Sequence, residues 1–533
     1  MAFFSNDNQQ LTLDDSTFNL SEREKKFLEK SWAKPFADKI FPAIREEDFS
    51  VLYSNKASRP NTPVNVIVGA LILKEVLGLT DDEMVQSLMF DIRFQYALHT
   101  TSFEEQPLSD RTLSRFRARN LAYETETGID LIHNCITSLS REISEFMGIS
   151  PTMQRMDSLM VAANIRNLSL FELFYTCVAN LAKIMRQRGT AIPDAQKHYV
   201  EKDDYNRFIY HQKDLDAAQK TLLIMHDAEK LVGLCEGEYD DTSEYQLLIR
   251  LLKEQTILGD DGQRRIRKQA EKKEPSKFLL NPSDPEATCR KKAGQKHFGY
   301  VGNIIEAVGE NGSIIMDYAY EQNIYSDMQF LKDYLAKQPD AQDAAVLVTD
   351  GAYGSEDNIA KAREHQITLI ATNFTGKKPS EIFAEFIFDK EGKEVLECGN
   401  HKKPLYTQYD ERNDKCRAYF SLFDCAVCPH YAQCAPSFKP GCALREVSWK
   451  TVNRAKQLLY MKTEEFREYA HFRNGVEAIP SLLRRKYKVD KIPAHGKKRT
   501  RLHFGFKIAA INFQRLWDYT NNLKKSTQNL SVA

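Results

Sequence analysis

Three acids and a cluster of cysteines are the residues with chemistry to offer. Asp350 closes a short apolar run, residues 344–349, and is followed by Gly351 and Gly354. Such a β-rich run reads as a strand buried on both faces, and its carboxyl edge is where open α/β sheets place ligands. The glycines permit the tight turn that lifts the carboxylate out of the sheet, and Ser355 is set to cap a helix over 356–365. An acid at a strand end is also a common turn residue, so Asp350 alone carries either reading. Asp157 falls near the middle of a second strand-like stretch, 152–163. Glu477 lies on a helical segment with Arg473 and Arg484, and at ~100° per residue these spacings put all three on one helix face. A surface ion pair would explain Arg473 and Glu477 equally well. Gly475 and Pro480 weaken that helix, which hints at a shape-constrained site. Isolated carboxylates on separate elements are what phosphoryl transfer on nucleic acid requires. They hold two Mg²⁺ ions about 3.5–4 Å apart, which stabilise the attacking and leaving oxygens.

Six of the ten cysteines crowd between Cys398 and Cys442. Cys425, Cys428 and Cys434, with Cys442 or Cys416 as a fourth, have the spacing of a tetrahedral Zn²⁺ thiolate site. Such a site would staple a segment with little apolar content of its own; the alternative is reduced, unliganded thiols. Cys135, Cys177, Cys235 and Cys289 are scattered and read as core residues. Trp449, just after the cluster, offers a face on which a DNA base would stack, although a core position is the commoner role for Trp.

The elements that must position these groups are legible in outline. With 533 residues, 42% apolar and 28% charged, the chain has room for about three domains. It shows no apolar run long enough to span a bilayer and no secretory leader, so a cytoplasmic protein with no membrane partner is expected. Residues 64–77, 80 onwards and the segment after Ser109 read as three helices, the last carrying Arg111, Arg115, Arg117 and Arg119. They suit a helix-turn-helix-type DNA-binding unit, or an ordinary bundle with a basic face. A mostly helical insert follows over about 168–260. Then come a hairpin turning at Asn311 and Gly312, a helix, the strand to Asp350, a helix and a strand at 367–372. The cysteine-rich segment interrupts this mixed α/β order, and one long helix is expected over 451–487. The net charge is zero, yet residues 484–525 hold thirteen Lys and Arg against two acids. That asymmetry predicts a basic C-terminal tail facing a polyanion.

Met156-Asp157-Ser158, the run from Val348 to Gly354, and Arg473, Glu477 and Arg484 at their spacings resemble bacterial insertion-sequence transposases of the DDE type. The subgroup with a Tyr/Arg/Glu/Lys signature is the most similar. Asp284-Pro285-Glu286-Ala287, His297-Phe298-Gly299-Tyr300 and His495-Gly496-Lys497 resemble the same family, in the same order. The signature Tyr would fall at Ala470, with Tyr469 one residue away; its Lys falls at Arg484, and position 352 is Ala.

The resemblance implies a ribonuclease-H-like mixed sheet flanked by helices, with Asp157, Asp350 and Glu477 binding Mg²⁺ or Mn²⁺. It implies four regions: an N-terminal helical DNA-binding domain, 1–150; the first part of the core, 151–372; a cysteine-rich insertion, 373–450; and the rest of the core with a basic tail, 451–533. It also implies endonucleolytic cleavage of the ends of a mobile element and strand transfer into target DNA, that is, transposition, a form of DNA recombination. The partner is then double-stranded DNA at the nucleoid, and pairing of two element ends calls for at least a dimer. Arg473, Arg484, Arg115, Arg117, Lys497, Lys498, Arg499 and Trp449 are the expected DNA contacts. Two rival readings are a domesticated, non-transposing DNA-binding protein and a ribonuclease-H-like nuclease without strand transfer.

Overall fold

Val64–Leu77 forms α1, apolar on nearly every side and buried throughout except at Glu75 and Leu77. A helix that hides all its faces belongs inside a core. In the computed structural model, which describes all residues but 7–14, 55, 57–58, 212–214, 260–261, 293, 339–343 and 533, α1 ends at Gly78, whose φ of 70° only glycine adopts cheaply. The Thr80–Glu83 capping box opens α2 (Asp81–Phe90). The arginine-bearing α3 (Asp110–Thr127) follows, then α4 (Leu131–Met147), a helix not anticipated above.

Strand β1 (Met153–Ala162) leads into the helical insert, α5 (Leu170–Arg188), α6 (Ala217–Cys235) and α7 (Ser243–Gln255). The insert closes a core of its own around Phe174, Leu181, Leu231, Tyr239 and Leu248. Next come β2 (Thr288–Lys292), β3 (Gln295–Gly309), β4 (Gly312–Gln322), α8 (Asp327–Lys337), β5 (Ala345–Thr349), α9 (Glu356–Glu364) and β6 (Ile367–Ala371). Four short strands follow, β7 (Tyr406–Asp410), β8 (Lys415–Phe420), β9 (Ser437–Lys439) and β10 (Cys442–Val447). The chain finishes with α10 (Trp449–Tyr460), α11 (Glu464–Asn474), α12 (Ala478–Arg485) and α13 (Lys497–Val532).

The chain divides into two compact units. One comprises Met1–Pro151, Ser158–Ser326 and Ile479–Ala533; the other comprises Thr152–Asp157 and Asp327–Ala478. Strand β1 contributes to both. In the first unit its end lies beside β3, where the Ala163 N–H donates to the Phe298 carbonyl at 3.0 Å. There β2, β3 and β4 form an antiparallel meander that turns at Glu310 and Asn311, one residue before the expected Asn311 and Gly312, with a bulge between Ile305 and Glu306. In the second unit β1 runs parallel to β5, with Met153 opposite Val346, and β5 runs parallel to β6.

Two expectations are corrected here. Residues 497–532 are not a tail: α13 buries Phe504, Ile508, Ile511, Phe513 and Leu516 against α1, α4 and β4. The cysteine-rich segment is not poor in apolar content. Its antiparallel sheet, in the order β7-β8-β10-β9, packs on Phe383, Phe386, Phe388, Val395, Phe420, Val447 and Val452.

Candidate active site

Asp350 stands one residue beyond β5, at the strand's carboxyl end, and begins a 3₁₀ turn over Gly351–Tyr353. Its Oδ1 accepts two hydrogen bonds, from the Gly351 N–H at 2.6 Å and from Asn373 Nδ2 at 2.8 Å. Asn373 follows the neighbouring strand β6, so two strand ends orient one carboxylate. Gly351 is required sterically, because a Cβ there would stand 2.0 Å from the Asn373 carbonyl oxygen. Ser355 caps α9 as expected, accepting from the Asn358 N–H.

The Glu477 segment is not one helix. Thr463 caps a new start at α11, and Gly475–Glu477 form a single 3₁₀ turn before α12. Arg155, two residues before Asp157 on β1, fixes this break. Its Nη1 donates to the Phe472 carbonyl at 2.8 Å, and its guanidinium lies over the Phe472 ring at 5.4 Å. A Cβ at position 475 would meet that Nη1 at 2.1 Å, so the strand arginine demands the glycine.

Arg473 brings two of the three acids together. Its Nη2 lies 3.5 Å from Asp157 Oδ2 and its Nη1 lies 3.4 Å from Glu477 Oε1. Both contacts are long for charge-assisted bonds. Arg473 is buried while Glu477 is 65% exposed, and Arg473 Nε is buried without a partner among the described residues. All three acids belong to the second unit. Among the described residues, no three His, Cys, Asp or Glu side chains stand close enough together to hold a metal ion.

The remaining candidates are placed differently. Because the helix breaks, Arg484 does not continue the Arg473–Glu477 face. It belongs to the first unit, donates to the Met160 carbonyl at 3.0 Å and pairs with Asp490 at 3.3 Å. Arg117 is engaged by Asp81, which also holds Lys74 at 2.7 Å. Lys497 pairs with Glu321 at 2.9 Å and Lys498 with Glu124 at 3.6 Å, whereas Arg115 and Arg499 are exposed. Trp449 meets the edge of Phe388 at 5.5 Å with part of its ring exposed. Tyr469 packs on Val348, Ile370 and Phe466. Cys442, on β10, pairs in register with Lys439. A different cysteine, Cys398, lines one small cavity with Cys425, Cys428 and Cys434.

Sequence reasoning missed Arg155 and Asn373. The signal for Arg155 was its spacing of two from Asp157, which in a strand puts both on one face.

Residues 397–517 match a family described as a transposase DDE domain, and residues 23–119 match a transposase domain (DUF772). No curated protein matches the chain. Among solved structures, the piggyBac transposase synaptic complex with hairpin DNA is similar at a TM-score of 0.28 and 8% identity, over 93% of this chain and 75% of that one. With transposase matches near both ends, the chain is a DNA transposase. The two matches indicate a transposase of the DDE type found in insertion sequences.

Proposed function

We propose that Asp157, Asp350 and Glu477 form the catalytic centre of a metal-dependent transposase. It cleaves the ends of an insertion sequence and transfers the freed strands into target DNA. The observation that carries this reading is the single Arg473 guanidinium shared by Asp157 and Glu477. It draws acids 320 positions apart in the chain into one electrostatic group. Within the second unit, the parallel pairing of β1 with β5 and of β5 with β6, with Asp157 on β1 and Asp350 directly after β5, supports a ribonuclease-H-like core.

The donor set fits Mg²⁺ or Mn²⁺, since three carboxylates from three elements are the hard oxygen ligands such ions take. The ion-pair geometry agrees, because positive charge already sits between Asp157 and Glu477 on loose contacts that a competing cation can displace. When bound, the metal supplies Lewis acidity to the attacking and leaving oxygens. The protein's own residues do the rest. Gly351 and Asn373 fix Asp350 through Oδ1, leaving Oδ2 to point at the reaction. Arg155 and Gly475 set the turn that carries Glu477. Arg473 balances the acids until a phosphate arrives to share its charge, and its planar fork suits phosphate oxygens. Water is the nucleophile for cleavage and the freed 3′-hydroxyl for strand transfer.

The partner is double-stranded DNA, at the element ends and at the target, and pairing two ends calls for a dimer. Exposed Arg115 and Arg499 are the contacts best placed to reach phosphate, with half-exposed Trp449 offering a stacking face. Among the described residues no helix is long and apolar enough to cross a membrane, and the cytoplasmic nucleoid is the proposed site of action. The test is a cleavage and strand-transfer assay on the element's terminal DNA with Mg²⁺ or Mn²⁺. Asp350→Asn cleaving like the parent protein would sink the assignment. Cleavage without joining to target DNA would reduce the protein to a nuclease.

A further inference from the structure

Four cysteines from three separate pieces of chain face one cavity in the cysteine-rich module. Cys398 follows the short strand Val395–Glu397, Cys425 and Cys428 flank the end of the helix Leu422–Ala426, and Cys434 ends the helix Tyr431–Cys434. The cavity measures about 30 Å³, and its walls include all four. That is room for about one small ion or water, not for an organic ligand. Cys434 lies within electrostatic reach of Cys398, Cys425 and Cys428, and Cys425 within reach of Cys398 and Cys428.

We propose that Cys398, Cys425, Cys428 and Cys434 bind a structural Zn²⁺ ion, with Cys398 rather than Cys442 or Cys416 as the fourth ligand. The backbone around Cys398 fixes the position of its sulfur. The Asn400 N–H donates to Cys398 Sγ at 3.4 Å, in a tight turn closed by the His401 N–H to the Cys398 carbonyl at 2.8 Å. N–H donors of this kind orient a ligating sulfur. Arg445 also lines the cavity; its Nη1 is held by the Ala435 carbonyl at 3.1 Å, and its Nε is buried without a partner among the described residues. A tetrathiolate zinc centre carries a net charge of about −2, and a fixed guanidinium on its wall offsets part of it. The alternatives are placed worse. Cys416 is buried on β8 among Phe386, Val395 and Val447, and neither it nor Cys442 borders the cavity.

The thiols do not converge as they stand, so loading draws them inward until each sulfur is about 2.3 Å from the ion. Four S–H protons leave as four Zn–S bonds form. The module has its own apolar core, so the ion locks the Cys398 turn to the two short helices rather than folding the segment outright.

The experiment is metal analysis of the full chain, purified under reducing conditions without chelator. About one zinc per chain is expected, lost in Cys398→Ser and Cys428→Ser and retained in Cys442→Ser and His430→Ala. Should the serine variants fail to fold, the parent protein still decides the matter. Replacement of zinc by Co²⁺ gives the intense visible bands of a tetrahedral thiolate site, and a mercurial titrant releases the metal as four thiols react. Parent protein without zinc, a disulfide between any two of the four, or zinc kept in Cys398→Ser but lost in Cys442→Ser would each overturn the proposal.

Discussion

Two regions of this protein carry conspicuous positive charge, and they use it in opposite ways. On the buried face of α13 the cations are structural. Lys507 reaches Glu75 at 2.6 Å, Arg501 reaches Glu124 at 2.6 Å and Arg515 reaches the fully buried Glu306 at 2.8 Å. These are short, enclosed pairs at which an apolar helix meets its neighbours. At the proposed catalytic centre a single buried arginine serves two acids through contacts of 3.4 and 3.5 Å, and one of those acids is largely exposed. Short and buried pairs build the fold, whereas a long, half-open pair can be exchanged for metal and phosphate. Counting charges along the sequence could not separate the two.

The comparison can be broken at several points, the largest effects first. Asp157→Asn, Asp350→Asn and Glu477→Gln should each lower strand cleavage by at least about 10³-fold while leaving the melting temperature close to the parent value, since they remove proposed metal ligands from an open site. A comparable loss of stability instead would make these acids structural.

Lys507→Met should do the reverse. Burial alone would raise the Glu75 carboxyl, but the bond from His503 and the charges of Lys507 and Lys74 outweigh it and hold the group down at about 2. Removing Lys507 strands a buried acid and should cost about 3 kcal/mol of stability, read by denaturant unfolding. The same linkage gives a pH dependence. A depressed carboxylate stabilises the fold at neutral pH, fully so above its unfolded value near 4.5, and that stability drains away as pH falls toward 2. The contribution is about 3 kcal/mol. Thermal melts of Glu75→Gln should therefore lack much of the parent's loss as pH falls from 4.5 to about 2.

Gly475→Ala is a finer probe of the site's geometry. The added Cβ collides with the Arg155 guanidinium, so cleavage should fall by about 10–100-fold with a stability change of about 1–3 kcal/mol. Pairing it with Arg155→Ala should relieve the clash without restoring the rate, because Arg155 also holds the Phe472 carbonyl.

The smallest effect is expected at Arg499→Ala and Arg115→Ala. Stability should stay within about 0.5 kcal/mol, while DNA binding weakens and its log–log salt slope flattens by about one. Lys497→Ala, which loses a pair to Glu321, should instead shift the melting temperature and leave the salt slope nearly unchanged.

Much of the proposed site was legible in the residues because its signals are local. A strand-end acid followed by glycines, a capping serine and an arginine four residues before a glutamate each announce themselves within one element. So do the α1 boundaries, the Thr80 cap and, to within one residue, the hairpin turn at Asn311. What stayed hidden depends on partners distant in the chain. The run at 451–487 reads as one helix because helical periodicity survives a 3₁₀ turn; only Arg155, more than 300 positions earlier, makes the break at Gly475 necessary. That Cys398 borders a cavity with Cys425, Cys428 and Cys434 stayed hidden too, because spacing favours the near neighbour Cys442, which pairs on β10 with Lys439 instead.

The sequence by itself determined which residues could do chemistry: three carboxylates on separate elements, an arginine beside one of them, and a thiol cluster. It pointed to the family as well, because the motif segments keep their order. Tertiary structure decided which charges are free to act. Burial and pairing are properties of places, not of residue types, and they turned thirteen basic residues near the C-terminus largely into fold while leaving Arg473 loosely held between two acids.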